Sequence, residues 1–264
     1  HDLNEIAEAY IDFLSGNEHQ KSEYIFTIKK SEVKDHININ PQHYSPKLNA
    51  ALDSVLAFDN KDNWATTTVG QLEAGIRIYI GPRWNSARIK VDNPTDTSNL
   101  VPYLTANAAL ELRRFTVKWL DARKANPQQR QCIDMLKIYE GDILISRSGT
   151  IGKVTYATKD LAENYIVSDD LVRIRVKDAN LRAYLLAYFT SSTALALMLL
   201  DEYGSVQQHL QPRHIQEMLI PVPDDWSLVQ DIIDAGNMFI KAIEDMSKAD
   251  RKIRTQGFDA LIAE

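Results

Sequence analysis

The chain has very little cysteine. Its one thiol, Cys132, excludes an intrachain disulfide framework and any multi-cysteine zinc site, and it fits a reducing cytoplasm. No histidine lies beside Cys132, so it reads as structural rather than as a nucleophile. No apolar run approaches the length of a membrane span and no signal peptide stands at the start, so a cytoplasmic protein with no membrane contact is expected. The sequence begins at His1 without a methionine, which leads us to expect a fragment of a longer chain. Histidines are few and badly spaced for a metal. His209 and His214 are five positions apart with Pro212 between them, so no metal site is expected.

What is present is ordinary in bulk. The 264 residues suffice for one large domain or two modest ones, and 44% hydrophobic with 25% charged content describes a soluble globular protein. A net charge of −6 argues against a simple polyanion binder, but the charge is unevenly placed. His1 to Asn63 carries 6 Lys/Arg against 11 Asp/Glu, Trp64 to Pro223 carries 19 against 16, and Asp224 to Glu264 carries 5 against 9. Within Arg77 to Lys153 the count is 13 against 7, so the basic surplus sits in one region, compatible with phosphate contact.

That region ends in the most informative stretch, Glu140 to Val176. Ile143 and Ile145, then Leu171, Val172, Ile174 and Val176, mark two strands rich in β-branched residues, with a third at Lys153–Tyr156. Between the first and third lies Ser146-Arg147-Ser148-Gly149-Thr150-Ile151-Gly152-Lys153. This is a glycine-punctuated turn with two cations and three hydroxyls, suited to an oxygen-rich anion or a base edge, or equally an ordinary β-turn.

This stretch resembles the target recognition domain of type I restriction–modification specificity subunits, which carry "GDIL(I/V)SRSGTIGK…IVSDDL(I/V)RIR" followed by "GS…HL…I…IPVP". The second motif stands here as Gly204 to Leu210 and Ile220-Pro221-Val222-Pro223. Trp64–Leu72 and Val101–Asn107 resemble further strands of the same domain, so the likeness runs from about Trp64 to the C-terminus. It implies sequence-specific binding of double-stranded DNA for a methyltransferase subunit or domain, and a "GS…HL" segment packed beside the SRSGTIGK loop. A fainter likeness lies at the start. Leu3, Ile6, Tyr10, Glu32, Val33, Asn38, Asn40, Pro41 and Tyr44 resemble the tail that follows the catalytic domain of N6-adenine DNA methyltransferases, which implies a fused parent chain or a shared joining segment.

No catalytic residue is expected. Adenine methylation needs an Asn/Asp-Pro-Pro-aromatic loop to hold the amine of an extruded base. Asn40-Pro41, Asn93-Pro94 and Asn126-Pro127 all lack the second proline and the ring. The expected cofactor set is therefore empty, with S-adenosylmethionine belonging only to the implied methyltransferase.

In chain order, Asp2–Leu14 has helical spacing, Glu23–Ile28 reads as a strand, Lys29–Lys34 as a short helical turn and Leu48–Phe58 as a helix before the polar break Asp59–Asn63. Gly75–Ile80 reads as a strand leading to a turn with Arg83, Trp84 and Arg88. The arginines suit phosphates or guanine edges, and Trp84 either stacks on a base or folds onto the core. Thr105 and Asn107 either reach bases or close a turn. Asn126–Gln131 reads as a polar turn and Cys132–Tyr139 as a strand or short helix. Asp178–Ser191 and Thr193–Glu202 read as helices, and Gln207, Gln208 and His209 as base or phosphate contacts or as turn caps.

After Asp224-Asp225, residues 229, 232, 236, 239, 243, 246, 250, 253, 257 and 260 form a seam of alternating three- and four-residue steps. Val229, Ile232, Phe239, Ile243, Met246 and Ile253 are its large apolar members. The seam suits a coiled coil, or a helix packed on its own domain; the resemblance implies pairing with a counterpart helix and docking of methyltransferase subunits.

The expected fold is therefore α+β. A helical joining segment (1–63) precedes a mixed β-sheet target recognition domain (64–223), and a long coiled-coil-like helix (224–264) serves a methyltransferase or a homodimer. The candidate DNA contacts are Arg147, Ser148, Thr150 and Lys153, then Arg83, Arg88, Gln207, Gln208 and His209. The rival readings are a protein-interaction module docking a methyltransferase through the last helix, and part of a fused methyltransferase enzyme.

Overall fold

A computed structural model describes residues 2–17, 46–72, 75–111, 117–200 and 209–256. Helix α1 (Asp2–Leu14) falls where the apolar spacing places it. The strand expected at 23–28, the turn at 29–34 and the segment up to residue 45 lie outside the described residues. Helix α2 (Pro46–Leu56) runs into a 3-10 turn, Ala57–Asn60, and the polar break then hooks back, with Asp59 Oδ1 accepting from Thr66 N at 2.6 Å. There follow β1 (Trp64–Thr68), β2 (Arg77–Ile80), β3 (Lys90–Val91), β4 (Val101–Leu104), α3 (Ala106–Leu110), β5 (Val117–Leu120), α4 (Pro127–Met135), β6 (Ile143–Ser146) and β7 (Val154–Tyr156). Then come α5 (Lys159–Asn164), β8 (Ile166–Val167), β9 (Leu171–Arg175), α6 (Ala179–Phe189), α7 (Ser192–Leu200), α8 (Pro212–Glu217), β10 (Leu219–Pro223) and α9 (Gln230–Gln256).

The strands form an antiparallel sheet in the order β2-β9-β6-β7, a mixed sheet β3-β5-β4-β8 whose last pair is parallel, and an antiparallel pair β1-β10. β6 and β9 are central strands, and both of their faces are covered. Ile143, Ile145, Val172 and Ile174 point into a core shared with α6 and α7, while Leu144 and Leu171 point into a second core with Leu104, Ala109 and Leu161. Arg173 stands on that second side, fully buried. Its guanidinium donates to the carbonyls of Met135, Lys137, Val167 and Ser168 at 3.1–3.3 Å, and so ties two stretches, 135–137 and 167–168, to the sheet. Burial holds that guanidinium below its ordinary pKa.

The prolines of β10 stand in a two-stranded pair, where missing N–H groups cost least. Its outward carbonyls are satisfied by α6, with Tyr184 Oη donating to Pro221 O at 2.7 Å and Tyr188 Oη to Leu219 O at 2.6 Å. Val55 of α2 is buried in the same core as these helices.

One local expectation changes, and one open alternative is resolved. Residues 126–131 are not a turn: Asn126 caps α4, accepting from Gln129 N at 2.8 Å, while the Gln129 side chain accepts from Asn126 N at 3.1 Å. This reciprocal capping box, with Pro127 at the first helical position, starts a helix that runs on through Cys132 to Met135. Thr105 likewise caps α3, accepting from Ala108 N at 3.3 Å, which is the turn-closing one of its two possible roles.

The seam on α9 divides between two surfaces. Val229, Gly236, Ile243 and Asp250 are buried against the body of the protein, together with Ile233 and Ser247. Gly236 is required there, because a Cβ would lie 2.2 Å from the Ala183 carbonyl of α6. Thr158 and Ser247 share a hydrogen bond at 3.2 Å, and Arg254 donates to Tyr165 Oη at 2.7 Å. The alternate members, Ile232, Phe239, Met246 and Ile253, are 43–64% exposed and recur every seventh residue, with exposed Ala235, Ala242 and Ala249 between them. Among the described residues no helix is long and apolar enough to cross a membrane.

Candidate nucleic-acid interface

The antiparallel register brings several connections to one end of the first sheet. β2 ends at Ile80, paired with Val172, and β6 ends at Ser146, paired with Leu171 at the start of β9. Three connections therefore leave the same end: residues 81–89 after β2, 147–153 between β6 and β7, and 168–170 ahead of β9. Gly81 lies so close that a Cβ would sit 3.4 Å from Asp169 Cα and 2.6 Å from Leu136 Cδ2.

The 147–153 connection has a fixed base and an open tip. Ser146 N donates to Lys153 O at 2.9 Å, Gly152 N to Ser146 O at 3.2 Å, and Ser146 Oγ to Ser148 O at 3.1 Å. Gly149 and Gly152 adopt φ of 73° and 80°, which other residues reach only with strain. Around Gly149 there is open space, whereas a Cβ on Gly152 would meet Leu195 of α7 at 2.4 Å. Thr150 and Lys153 are exposed and Ser148 is half-buried. Arg147 is the exception. It is only 2% exposed, and its Nε donates to Leu210 O at 3.2 Å.

Arg83 and Arg88 are exposed on the 81–89 connection, and neither has an ion pair among the described residues. This connection is pinned from α4, where Gln129 Nε2 donates to Asn85 O at 2.9 Å. Trp84 is half-buried against a further core of Ile89, Leu120, Ile133 and Leu136, edge-on to Tyr103 at 6.3 Å, so its ring folds inward. His209 is half-buried beside Leu210, with a buried Nδ1 that has no partner among the described residues. Gln207 and Gln208 lie outside the described residues. The backbone of Leu210 donates to Arg147 O at 2.9 Å, so the end of the "GS…HL" segment does pack against the SRSGTIGK loop.

The register also brings in Ser168, Asp169 and Asp170, which sequence reasoning left without a role. Asp170 N donates to Ser168 Oγ at 3.2 Å, and both aspartates are half-buried at the same end of the sheet. Burial pushes the Tyr103 hydroxyl up, Ser168 opposes this, and the two aspartates add to it. A polar triplet between two short β-branched runs was the available signal. The end of the sheet thus mixes exposed cations, hydroxyls and carboxylate acceptors. Cations neutralise phosphates, hydroxyls take either partner, and carboxylates accept from the cytosine amine. No group of three or more His, Cys, Asp or Glu is placed to hold a metal among the described residues.

A family model, the type I restriction modification DNA specificity domain, matches residues 84–245, more than half of the chain. The chain belongs to that family. The matched span takes in the connection after β2 from Trp84 onward, the one between β6 and β7, the 168–170 turn, and more than half of α9. No curated protein sequence matches the chain. Among solved structures it is similar to a chain from a type I restriction–modification system studied for its assembly and conformational transition. The identity is 17% and the TM-score 0.45, covering 82% of this chain and 52% of that one. It is also similar to the HsdS subunit from Thermoanaerobacter tengcongensis (16%, 0.43, 82% and 51%) and to the type IIG restriction endonuclease BpuSI (13%, 0.48, 80% and 30%). The chain spans about half the length of the first two of these structures and less than a third of the last.

Proposed function

We propose that this chain reads a short sequence in double-stranded DNA on behalf of an N6-adenine methyltransferase or restriction–modification complex, working in the cytoplasm and without a cofactor or catalytic residue of its own. The observation that carries this reading is the convergence of Arg83, Arg88, Ser148, Thr150 and Lys153 on connections at one end of one sheet, inside a family defined by DNA specificity. In this reading Lys153, Arg83 and Arg88 contribute affinity through phosphates, and Ser148 and Thr150, with Asp169 and Asp170, are the candidates for base edges. His209 stands next to Leu210, whose backbone bonds to Arg147, and Gln207 and Gln208, which precede it in the sequence, are further candidates for DNA contact.

The exposed set on α9 supports the partner. Large apolar residues at every seventh position, with alanines between, form a narrow seam that suits a second helix at close approach. That helix comes from a methyltransferase subunit or from a second copy of this chain.

Selection from a pool of random duplexes, with the chain alone and with an adenine methyltransferase from the same source, tests the function. Enrichment of a short motif supports it. Enrichment only with the methyltransferase means that assembly completes the reader, and no enrichment in either arm rejects it in favour of a docking module that acts through α9.

A further inference from the structure

Arg147 looks in the sequence like another cation for the DNA backbone, yet the fold hides it. Its side chain is 2% exposed, and its contacts within the chain are to main-chain groups. Arg147 N donates to Asp170 O at 3.3 Å, Leu210 N donates to Arg147 O at 2.9 Å, and Arg147 Nε donates to Leu210 O at 3.2 Å. One residue therefore joins three separate segments: the 147–153 connection, the 168–170 turn and the chain at 209–210. Leu210 is itself fully buried, so its carbonyl is a fixed anchor. Arg147 Nη1 is buried and has no partner among the described residues, which is costly for a guanidinium. A surface contact to phosphate would have avoided that cost.

We propose that Arg147 is a positioning residue for sequence reading: it clamps the base of the loop whose tip, Ser148 to Thr150, meets the DNA, and makes no phosphate contact itself. This inference rests on the DNA-reading function proposed above. The loop tip is open and turns through a glycine in the left-handed region, so its aim is set by its base. Base-edge contacts must be held within roughly 0.5 Å to discriminate, whereas phosphate contacts tolerate a looser approach. Loosening the base should therefore blunt the choice between sequences while leaving the number of neutralised phosphates unchanged. A planar fork aimed at a carbonyl suits this task better than the point charge of a lysine.

The test uses the whole chain, the duplex it selects from a random pool and a scrambled duplex of equal length, over a salt series, with the melting temperature measured alongside. R147M should lose about tenfold or more of the preference for the selected duplex, as expected when one or two base-edge hydrogen bonds are spoiled, with an unchanged slope of log affinity against log salt. K153M should lose affinity on both duplexes equally, with a slope smaller by roughly one. The ratio between duplexes is insensitive to a reduced folded fraction, so it separates positioning from mere stability. R147K serves where R147M folds poorly: a clamp predicts a lost preference, and a phosphate contact a retained one. A smaller slope for R147M, or an unchanged preference in R147M or R147K, overturns the clamp. A wild-type chain that selects no duplex overturns the DNA-reading function, and the clamp with it.

Discussion

The two ends of the sheet β2-β9-β6-β7 are finished in opposite ways. At one end Asp142, fully buried, accepts from Arg175 Nε at 2.9 Å and Nη2 at 3.1 Å, from Tyr79 Oη at 3.0 Å and from Tyr139 N at 3.1 Å. The ring of Tyr139 lies 3.6 Å from the same guanidinium, and Asp142 holds Arg175 above its ordinary pKa. At the other end Arg83, Arg88 and Lys153 stand exposed, with no ion pair among the described residues. Charges at the first end complete one another and stabilise the fold. Those at the second are exposed and, in the function proposed above, meet DNA. The difference shows why counting cations locates neither end: Arg147, Arg173 and Arg175 are arginines in the sequence just as Arg83 is, yet each of the three bonds to the protein itself.

The largest expected effect comes from breaking the paired end. D142A leaves the Arg175 guanidinium, the Tyr79 hydroxyl and the Tyr139 amide without their acceptor. It should cost about 3–5 kcal/mol, read as a loss in chemical or thermal unfolding. The folded fraction should keep its choice of DNA sequence. A small loss of stability would mean that the two ends do not differ as described.

The same contrast runs along α9, between an inner face that is packed and an outer one that is not. Paired substitutions F239D and M246D on the exposed set should abolish the association proposed for this helix, measured by sedimentation of the chain alone and with an adenine methyltransferase from the same source. Stability of the monomer should change by no more than about 0.5 kcal/mol per site. By contrast G236A, on the inner face, should destabilise the monomer itself, because α6 and α9 would have to part.

The open end is tested by removing its charges together. R83A, R88A and K153A combined should leave the melting temperature nearly unchanged and lower the salt slope of DNA binding by about 0.9 for every phosphate that is no longer neutralised. A marked loss of stability would place these side chains among the paired charges after all.

The smallest effect sharpens the paired end through pH. Burial, then Asp142, raises the Tyr79 hydroxyl to about 12, while a tyrosine in the unfolded chain ionises near about 10. The folded state thus keeps its proton longer. The contribution of Tyr79 is fully present below about pH 10 and is lost as the pH rises toward about 12. Alkaline unfolding of wild type and Y79F should show the wild-type advantage shrinking across that window.

Much of this is legible in the chain. The β-branched runs around Ile145 and Ile174 mark β6 and β9, the glycines at 149 and 152 mark the tight connection, and the periodic apolar residues after Asp225 mark α9. Residues 126–131 mislead because a polar, glutamine-rich stretch resembles a turn until the Asn126–Gln129 capping box is recognised. Arg147 reads as a surface cation because nothing in its neighbours announces that Leu210, 63 positions later, offers its carbonyl.

The sequence by itself determined the local elements, the site of the glycine turn and the existence of a seven-residue repeat, since each follows from side-chain periodicity and backbone freedom within a few positions. Only the tertiary structure decided which cations remain free and which half of the repeat on α9 faces outward. Those outcomes depend on contacts between residues far apart in the chain: Asp142 with Arg175, Gly236 with Ala183, Arg147 with Leu210. A repeat of seven fixes a stripe on a helix, but its own domain chooses which side of that stripe to cover.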